Sequence, residues 1–278
     1  MSICLSAQNA IEWLISIDPV ALKIGLFEIR WYALAYLLGV LFFYWHIGKV
    51  GRFLPERKDF VEALLSWLIV GGILGGRAAY VFIYHPGFYL EFPTEIIKLW
   101  HGGMSFHGGV IGALLSMSIV CRRYQVSYLH VLDLFTCAAP LGIFLGRIAN
   151  LVNGELYGKV TNMCLGVTFP DAEPALTRHP TQVYEAICEG LLPLIFMNAL
   201  LKFTPLPQRP GVLAFTYCGW YGLVRCMIEI WREPDYELDL PVSLSMGQIL
   251  SIPMILGSLI MLFIIIKKHR KHTNVSAE

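Results

Sequence analysis

Three arginines stand inside otherwise apolar stretches of this chain: Arg77, Arg147 and Arg225. A guanidinium cannot shed its proton, and a charge at the centre of a membrane span costs about 2.5–3.5 kcal/mol. Each therefore needs an internal carboxylate or an anionic ligand, and the planar fork of donors matches phosphate oxygens. Arg147 belongs to Gly146-Arg147-Ile148-Ala149-Asn150-Leu151-Val152-Asn153-Gly154-Glu155-Leu156-Tyr157-Gly158. Asn150 follows at i+3, so both head groups converge on one helical face. Asn153, Glu155 and Gly158 follow where the stretch ends, and together these residues form a polar pocket at the end of a membrane helix. Arg225 lies between Tyr221 and Glu229 at i, i+4, i+8. Two readings stand there: a buried Arg225–Glu229 pair, or an anion site that Glu229 orients. Arg232, just past this stretch, adds positive charge. Arg77 follows Gly75-Gly76 and is read as a supporting residue facing Glu62, Asp133 or a ligand.

A second motif is His101-Gly102-Gly103-Met104-Ser105-Phe106-His107-Gly108-Gly109. Imidazole is the usual general base near neutral pH, and the glycines beside His107 clear room for a substrate. A third, Arg178-His179-Pro180-Thr181-Gln182-Val183-Tyr184-Glu185, places His179, Gln182 and Glu185 as a hydrogen-bonded rim. Tyr32 and Tyr36 recur at i, i+4, as interfacial aromatics do. Gln248 is a polar residue opening the last apolar stretch. No HExxH, paired Cys/His set or GxSxG is present, so neither a metal site nor a serine nucleophile is expected.

The elements that must hold these residues are membrane helices. Of 278 residues, 56% are apolar and only 15% charged, with a mean hydropathy of +0.60. A soluble domain carries about 25% charge. A net charge of +1 provides no basic field for a polyanion, which argues against nucleic acid as a partner. Seven apolar stretches are read: Trp31–Ile47, Phe60–Tyr84, His107–Cys121, Tyr128–Val152, Tyr184–Leu201, Gly211–Trp231 and Gly247–Ile266. The third is short for a full crossing. The expected fold is thus an all-α bundle of about seven transmembrane helices in a single domain, 1–278, with extracytoplasmic connecting segments. Of the 21 Lys and Arg, twelve fall on the side of the C-terminal tail and six on the other. By the positive-inside rule this predicts an extracytoplasmic arm over 1–30 and a cytoplasmic basic tail over 267–278. Glycine pairs four apart (Gly71/Gly75, Gly72/Gly76, Gly108/Gly112 and Gly142/Gly146) mark close helix packing. Five of the seven cysteines lie in or beside apolar runs and read as packing residues. Only Cys4 and Cys164 could face an oxidising side, so a disulfide framework is not expected. Residues 1–22 lack the pattern of a cleavable signal peptide.

The motif at 146–158 resembles the signature of the bacterial prolipoprotein diacylglyceryl transferase family, with Leu151 where that family usually has Phe. Residues 102–109, 178–185, 221–229, 30–36 and 245–251 resemble its other motifs in the same order, and the likeness runs from about Ala21 to Ile266. The resemblance implies an enzyme of the bacterial inner membrane with no cofactor. Its substrates would be phosphatidylglycerol and a prolipoprotein signal peptide bearing a lipobox cysteine, both reached through the lipid bilayer. The diacylglyceryl group would pass to the thiol, forming a thioether and releasing glycerol phosphate. On this reading His107, Arg147 and Arg225 are catalytic. Arg147, Asn150, Asn153, Glu155, Gly158, Tyr32, Tyr221, Glu229 and Arg77 bind or frame the lipid. An anionic lipid as usual occupant would spare both Arg147 and Arg225 a full internal counter-charge. A transporter using the arginines as an anion path, or another lipid-head-group enzyme, is disfavoured because the polar motifs gather toward one end and no nucleophile site is seen.

Overall fold

The computed structural model of the chain describes residues 2–25, 27–51, 57–205, 208–233 and 245–275, with backbone only at 2, 3, 57 and 270–275. In chain order come α1 (Ser2–Ile15), the antiparallel ribbon β1 (Val20–Ile24) and β2 (Phe27–Arg30), and α2 (Trp31–Val50). Next are α3 (Arg57–Ala79), continued by a π turn (Tyr80–Tyr84), the short α4 (Pro86–Glu91), α5 (Phe106–Arg123) and α6 (Tyr128–Val152). A second small ribbon, β3 (Val167–Thr168) and β4 (Thr177–Arg178), precedes a broken helix. That helix runs as α7 (Thr181–Glu185), a π turn (Ala186–Leu191) and α8 (Leu192–Phe203), followed by α9 (Val212–Ile228) and α10 (Met246–Val275).

This is an all-α integral membrane protein. Trp31–Val50, Lys58–Tyr84, Tyr128–Val152, Thr181–Phe203 and Met246–His269 are long and apolar enough to cross a membrane. The other two expected spans are the shorter helices α9, with 17 residues, and α5, with 18. Leu38, Leu41, Leu74, Leu259 and Phe263 are each more than half exposed along these helices. A soluble surface does not tolerate apolar area on that scale, whereas lipid does.

The chain divides into two compact units, one of residues 1–43 with 132–278 and one of 44–131. The smaller unit is built on α3 lying along α5. A Cβ on Gly75 would sit 2.3 Å from the Gly108 carbonyl oxygen, and one on Gly112 would sit 2.1 Å from that of Gly71. The glycine pairs expected to pack therefore do so here, backbone against backbone. In the larger unit Gly146 has open space around its missing side chain, while Gly39 of α2 comes within contact of Gly142. Asp133 accepts hydrogen bonds from the backbone of Gly211 and Ala214, both at 2.7 Å, and so closes the otherwise unpaired start of α9. Its carboxylate is committed to that cap, contrary to the expectation that it is free to face Arg77. Ser245 and Gln248 exchange side-chain and backbone hydrogen bonds at 3.2 and 3.1 Å. This capping box explains the polar residue that opens α10.

At the end of α6, Leu151 joins Ile11, Val167, Phe169 and Ala172 in a small apolar core. It folds α1 against the segment around β3 and brings Cys4 to Cys164, with Cα atoms 6.1 Å apart, as a disulfide. The expectation of unbridged cysteines is overturned at this pair. Cys121 and Cys137 are buried and Cys188, Cys218 and Cys226 half-buried, all as free thiols.

Candidate active site

The end of α6 shapes the first part of the site. Asn150, one helical turn beyond Arg147, donates from Nδ2 to Glu155 Oε1 at 2.8 Å, and Asn153 donates to the same oxygen at 3.2 Å. The turn that returns Glu155 to this position passes through Gly154 at φ 67°, and the Glu155 N–H closes onto the Asn150 carbonyl at 3.1 Å. A left-handed residue is needed there, which suits glycine. Tyr32, from the first turn of α2, brings its hydroxyl to 3.5 Å from Asn150 Nδ2. The Glu155 carbonyl is held by Gln182 Nε2 at 2.7 Å. Gly158 donates to the His179 carbonyl at 2.9 Å, and a Cβ there would strike the Trp231 carbonyl at 2.5 Å. Its part is to let three strands of chain meet. A cavity of about 450 Å³ opens beside this turn, lined by Asn153, Gly154, Glu155, Leu156, Tyr157, Asp171 and Glu233.

The second part is a network of buried charge. Arg147 Nη1 faces Glu185 Oε2 and Nη2 faces Glu189 Oε2, both at 3.2 Å. Arg225 bonds Glu185 Oε1 at 2.5 Å and Glu229 Oε2 at 2.8 Å. Arg232 reaches Glu185 Oε1 at 3.0 Å. Glu185 and Glu189 are fully buried, and Glu229 nearly so. Three guanidiniums thus meet three carboxylates. Tyr221, on the face of α9 that carries Arg225, stands within electrostatic reach of Arg147, Arg225, Glu185 and Glu189. Glu229 is seated against Gly247, where a Cβ would collide with the carboxylate at 2.6 Å.

Two expectations change here. The Arg225–Glu229 pair exists, but it is one edge of a larger network whose centre is Glu185. Nor do Arg147 and Arg225 lack internal counter-charge, because the chain itself supplies a carboxylate for each. Sequence reasoning placed Glu185 on a rim and passed over Glu189 altogether. The signal was present: two carboxylates four apart in one apolar span carry the same cost as the arginines and so must answer them.

Arg77 and His107 belong to the smaller unit. Arg77 is buried and spends its guanidinium on backbone carbonyls: Ile96 at 2.9 Å, Glu95 at 2.6 Å, Lys98 at 3.3 Å, Gly102 at 2.5 Å and Gly103 at 3.0 Å. It gathers the segment before α5 rather than facing Glu62. His101 is engaged with Glu95 at 2.7 Å. Salt contacts from Lys98 and then His101 hold the Glu95 carboxyl below its ordinary value. His107 is exposed in the first turn of α5, just after Ser105, whose hydroxyl caps the helix by accepting from Gly108 N–H at 3.2 Å. His179 is buried with Nδ1 3.2 Å from the Tyr184 hydroxyl, and burial pushes its imidazole below the ordinary histidine value.

A family model described as prolipoprotein diacylglyceryl transferase matches residues 19–264. The chain belongs to the prolipoprotein diacylglyceryl transferase family. It is 49% identical over 278 residues to the phosphatidylglycerol–prolipoprotein diacylglyceryl transferase of Anaplasma marginale (strain Florida), covering 99% of this chain and 98% of that protein. The proteins of the same name from Ehrlichia ruminantium (strain Welgevonden) and Wolbachia sp. subsp. Drosophila simulans (strain wRi) are each 48% identical. They cover 87% of this chain and 94% and 92% of their own lengths. The family match spans both compact units, and the arginine–glutamate network lies wholly inside it.

Proposed function

We propose that this transferase moves the diacylglyceryl group of phosphatidylglycerol to the thiol of a lipobox cysteine in a prolipoprotein signal peptide. A carbon–sulfur bond forms at the glyceryl carbon, the carbon–oxygen bond to phosphate breaks, and glycerol phosphate leaves. This is the first step of lipoprotein maturation. The thiol proton must go to a base, since a free thiol of pKa about 8.5 is only a few per cent thiolate at neutral pH. Two readings stand for His107: it takes that proton, or it hydrogen-bonds the lipid. The phosphate gains negative charge as the bond breaks, and bidentate guanidinium contacts are suited to hold it. Arg147 and Arg225 take that part, with Glu229 orienting Arg225, and Asn150, Asn153, Glu155 and Tyr32 framing the head group. Both substrates arrive laterally from the bilayer of the bacterial inner membrane. The observation that carries this reading is the convergence of Arg147 and Arg225, from two different helices, on the one buried carboxylate of Glu185.

The test is a product assay. Membranes containing the protein, phosphatidylglycerol and a lipobox peptide should yield a thioether-linked lipopeptide, and a peptide with Ser in place of Cys should yield none. Absence of product with the Cys peptide sinks the reading.

A further inference from the structure

The charge network poses a problem that its three glutamates must solve. Among the described residues, three guanidiniums are balanced by three carboxylates before any lipid arrives. A phosphodiester adds one negative charge to a buried site, where an uncompensated charge is costly. One carboxylate must give up its place and its charge when the phosphate binds.

The geometry points to Glu189 as the one that yields: we infer that its carboxylate holds the phosphate's place on Arg147 and takes up a proton as the anionic head group displaces it. The inference rests on the diacylglyceryl-transfer reading. Glu185 cannot yield, because Arg225 and Arg232 share its Oε1 and Arg147 faces its Oε2. Glu229 is paired to Arg225 at 2.8 Å and wedged against Gly247. Glu189 touches Arg147 through one oxygen at 3.2 Å, while its other oxygen lies 3.9 Å from Arg225, the longest pairing in the network. It sits on the π turn Ala186–Leu191, the irregular part of its span. Its neighbour Gly190 presses against the Phe144 backbone, where a Cβ would lie 2.7 Å from Phe144 N. That contact fixes the main chain beside α6.

The groups facing Glu189 are Arg147 from α6, Tyr217, Tyr221 and Arg225 from α9, and Glu185 and Cys188 on its own span. Both arginines are permanently charged, and tyrosine and cysteine stay neutral through the working range. Glu185 is engaged by three arginines, Arg147, Arg225 and Arg232, and so keeps its place. A proton taken up with the lipid therefore goes to Glu189. When glycerol phosphate leaves, the carboxyl loses the proton and re-forms its pair with Arg147. Glu189 is on this account a positioning residue that acts through Arg147.

Steady-state kinetics on the purified full-length protein in mixed micelles test this, with phosphatidylglycerol varied at saturating peptide. Glu189→Gln mimics the protonated carboxyl. It should lower KM for phosphatidylglycerol by about tenfold and make glycerol phosphate a correspondingly tighter product inhibitor, with kcat reduced by slower release. Between about pH 6 and about pH 8.5 the wild-type KM should climb, by at most tenfold per pH unit for one linked proton, while that of Glu189→Gln stays flat. Glu189→Asp keeps a titratable group with shorter reach, so it should retain the pH slope at a lower KM. A merely structural counter-ion would raise KM or cut stability and would leave the pH slope untouched. KM at or above the wild-type value in the folded variants overturns the inference, as does an unchanged slope in Glu189→Gln or the failure of both variants to fold. Failure of the wild type to form product is a different result and speaks only against the transfer reading.

Discussion

Arg77 is buried and Arg147 half-buried, and their surroundings assign them different work. Arg147 faces two carboxylates and is partly open, whereas Arg77 is saturated by backbone carbonyls. Arg147→Lys keeps the charge and loses the fork. Arg147→Ala loses both and should depress turnover further, by roughly one to two decades or more for a charge-assisted contact of about 1.5–3 kcal/mol. Initial rates at varied phosphatidylglycerol check this order. Arg77→Lys should lower thermal stability and cost less turnover than Arg147→Lys, since lysine cannot serve carbonyls spread along the segment from Glu95 to Gly103. Near-normal rates in Arg147→Ala with abolished rates in Arg77→Ala would reverse the assignment. The arginines were legible in the sequence because the cost of a guanidinium in an apolar run is a local fact. Their partners were not, because which carboxylate answers which arginine depends on the helices that pack together.

At the scale of elements, the glycine spacing announced the α3–α5 crossing, since two backbones in contact require residues without side chains at both surfaces. The same spacing at Gly142 and Gly146 misled in part, because a Cβ at either would meet open space and the close approach is at Gly39, where a Cβ would lie 3.2 Å from the Gly142 Cα. Gly75→Val places a branched side chain against the Gly108 carbonyl and should destabilise the protein by about 1–3 kcal/mol or more, read as a lower melting temperature in detergent. Gly146→Ala, with nothing near the added methyl group, should leave the melting temperature almost unchanged. The cysteines divide by element in the same manner. On the proposed reading the nucleophilic sulfur belongs to the substrate, so changing Cys121, Cys137, Cys188, Cys218 and Cys226 to Ala or Ser in packing-compatible combinations should preserve thioether formation. Loss of product from one such change in a folded protein would indicate a covalent intermediate on the enzyme. The Cys4–Cys164 bridge escaped sequence reasoning because its ends are 160 residues apart and meet only once α1 has folded onto the β3 segment.

For the whole molecule, composition alone separated a membrane protein from a soluble one, and the exposed leucines and phenylalanines of the helices carry the same message. The division into two compact units had no counterpart in the sequence, since the cut falls within α2 and at the start of α6 rather than in any linker. Orientation is the remaining property of the whole chain, and we propose it from charge. Twelve lysines and arginines lie on the side of Lys267, Lys268, Arg270 and Lys271, and six on the side of the long connections. A chain threading the membrane retains its basic segments on the cytoplasmic face. The long connection from Asn153 to Pro180 carries the ribbon β3–β4 and the Cys4–Cys164 bridge, and a disulfide persists on the oxidising side of a membrane. On both grounds we propose that this connection is extracytoplasmic. A reporter fused after Lys271 should read cytoplasmic, and one inserted near Glu173 should read extracytoplasmic. The bridge supplies an independent check: in intact cells a membrane-impermeant reductant followed by an impermeant thiol reagent should label Cys4 and Cys164. Both reporters on one side would overturn the odd number of crossings, and a bridge shielded from external reductant would invert the whole molecule in its membrane.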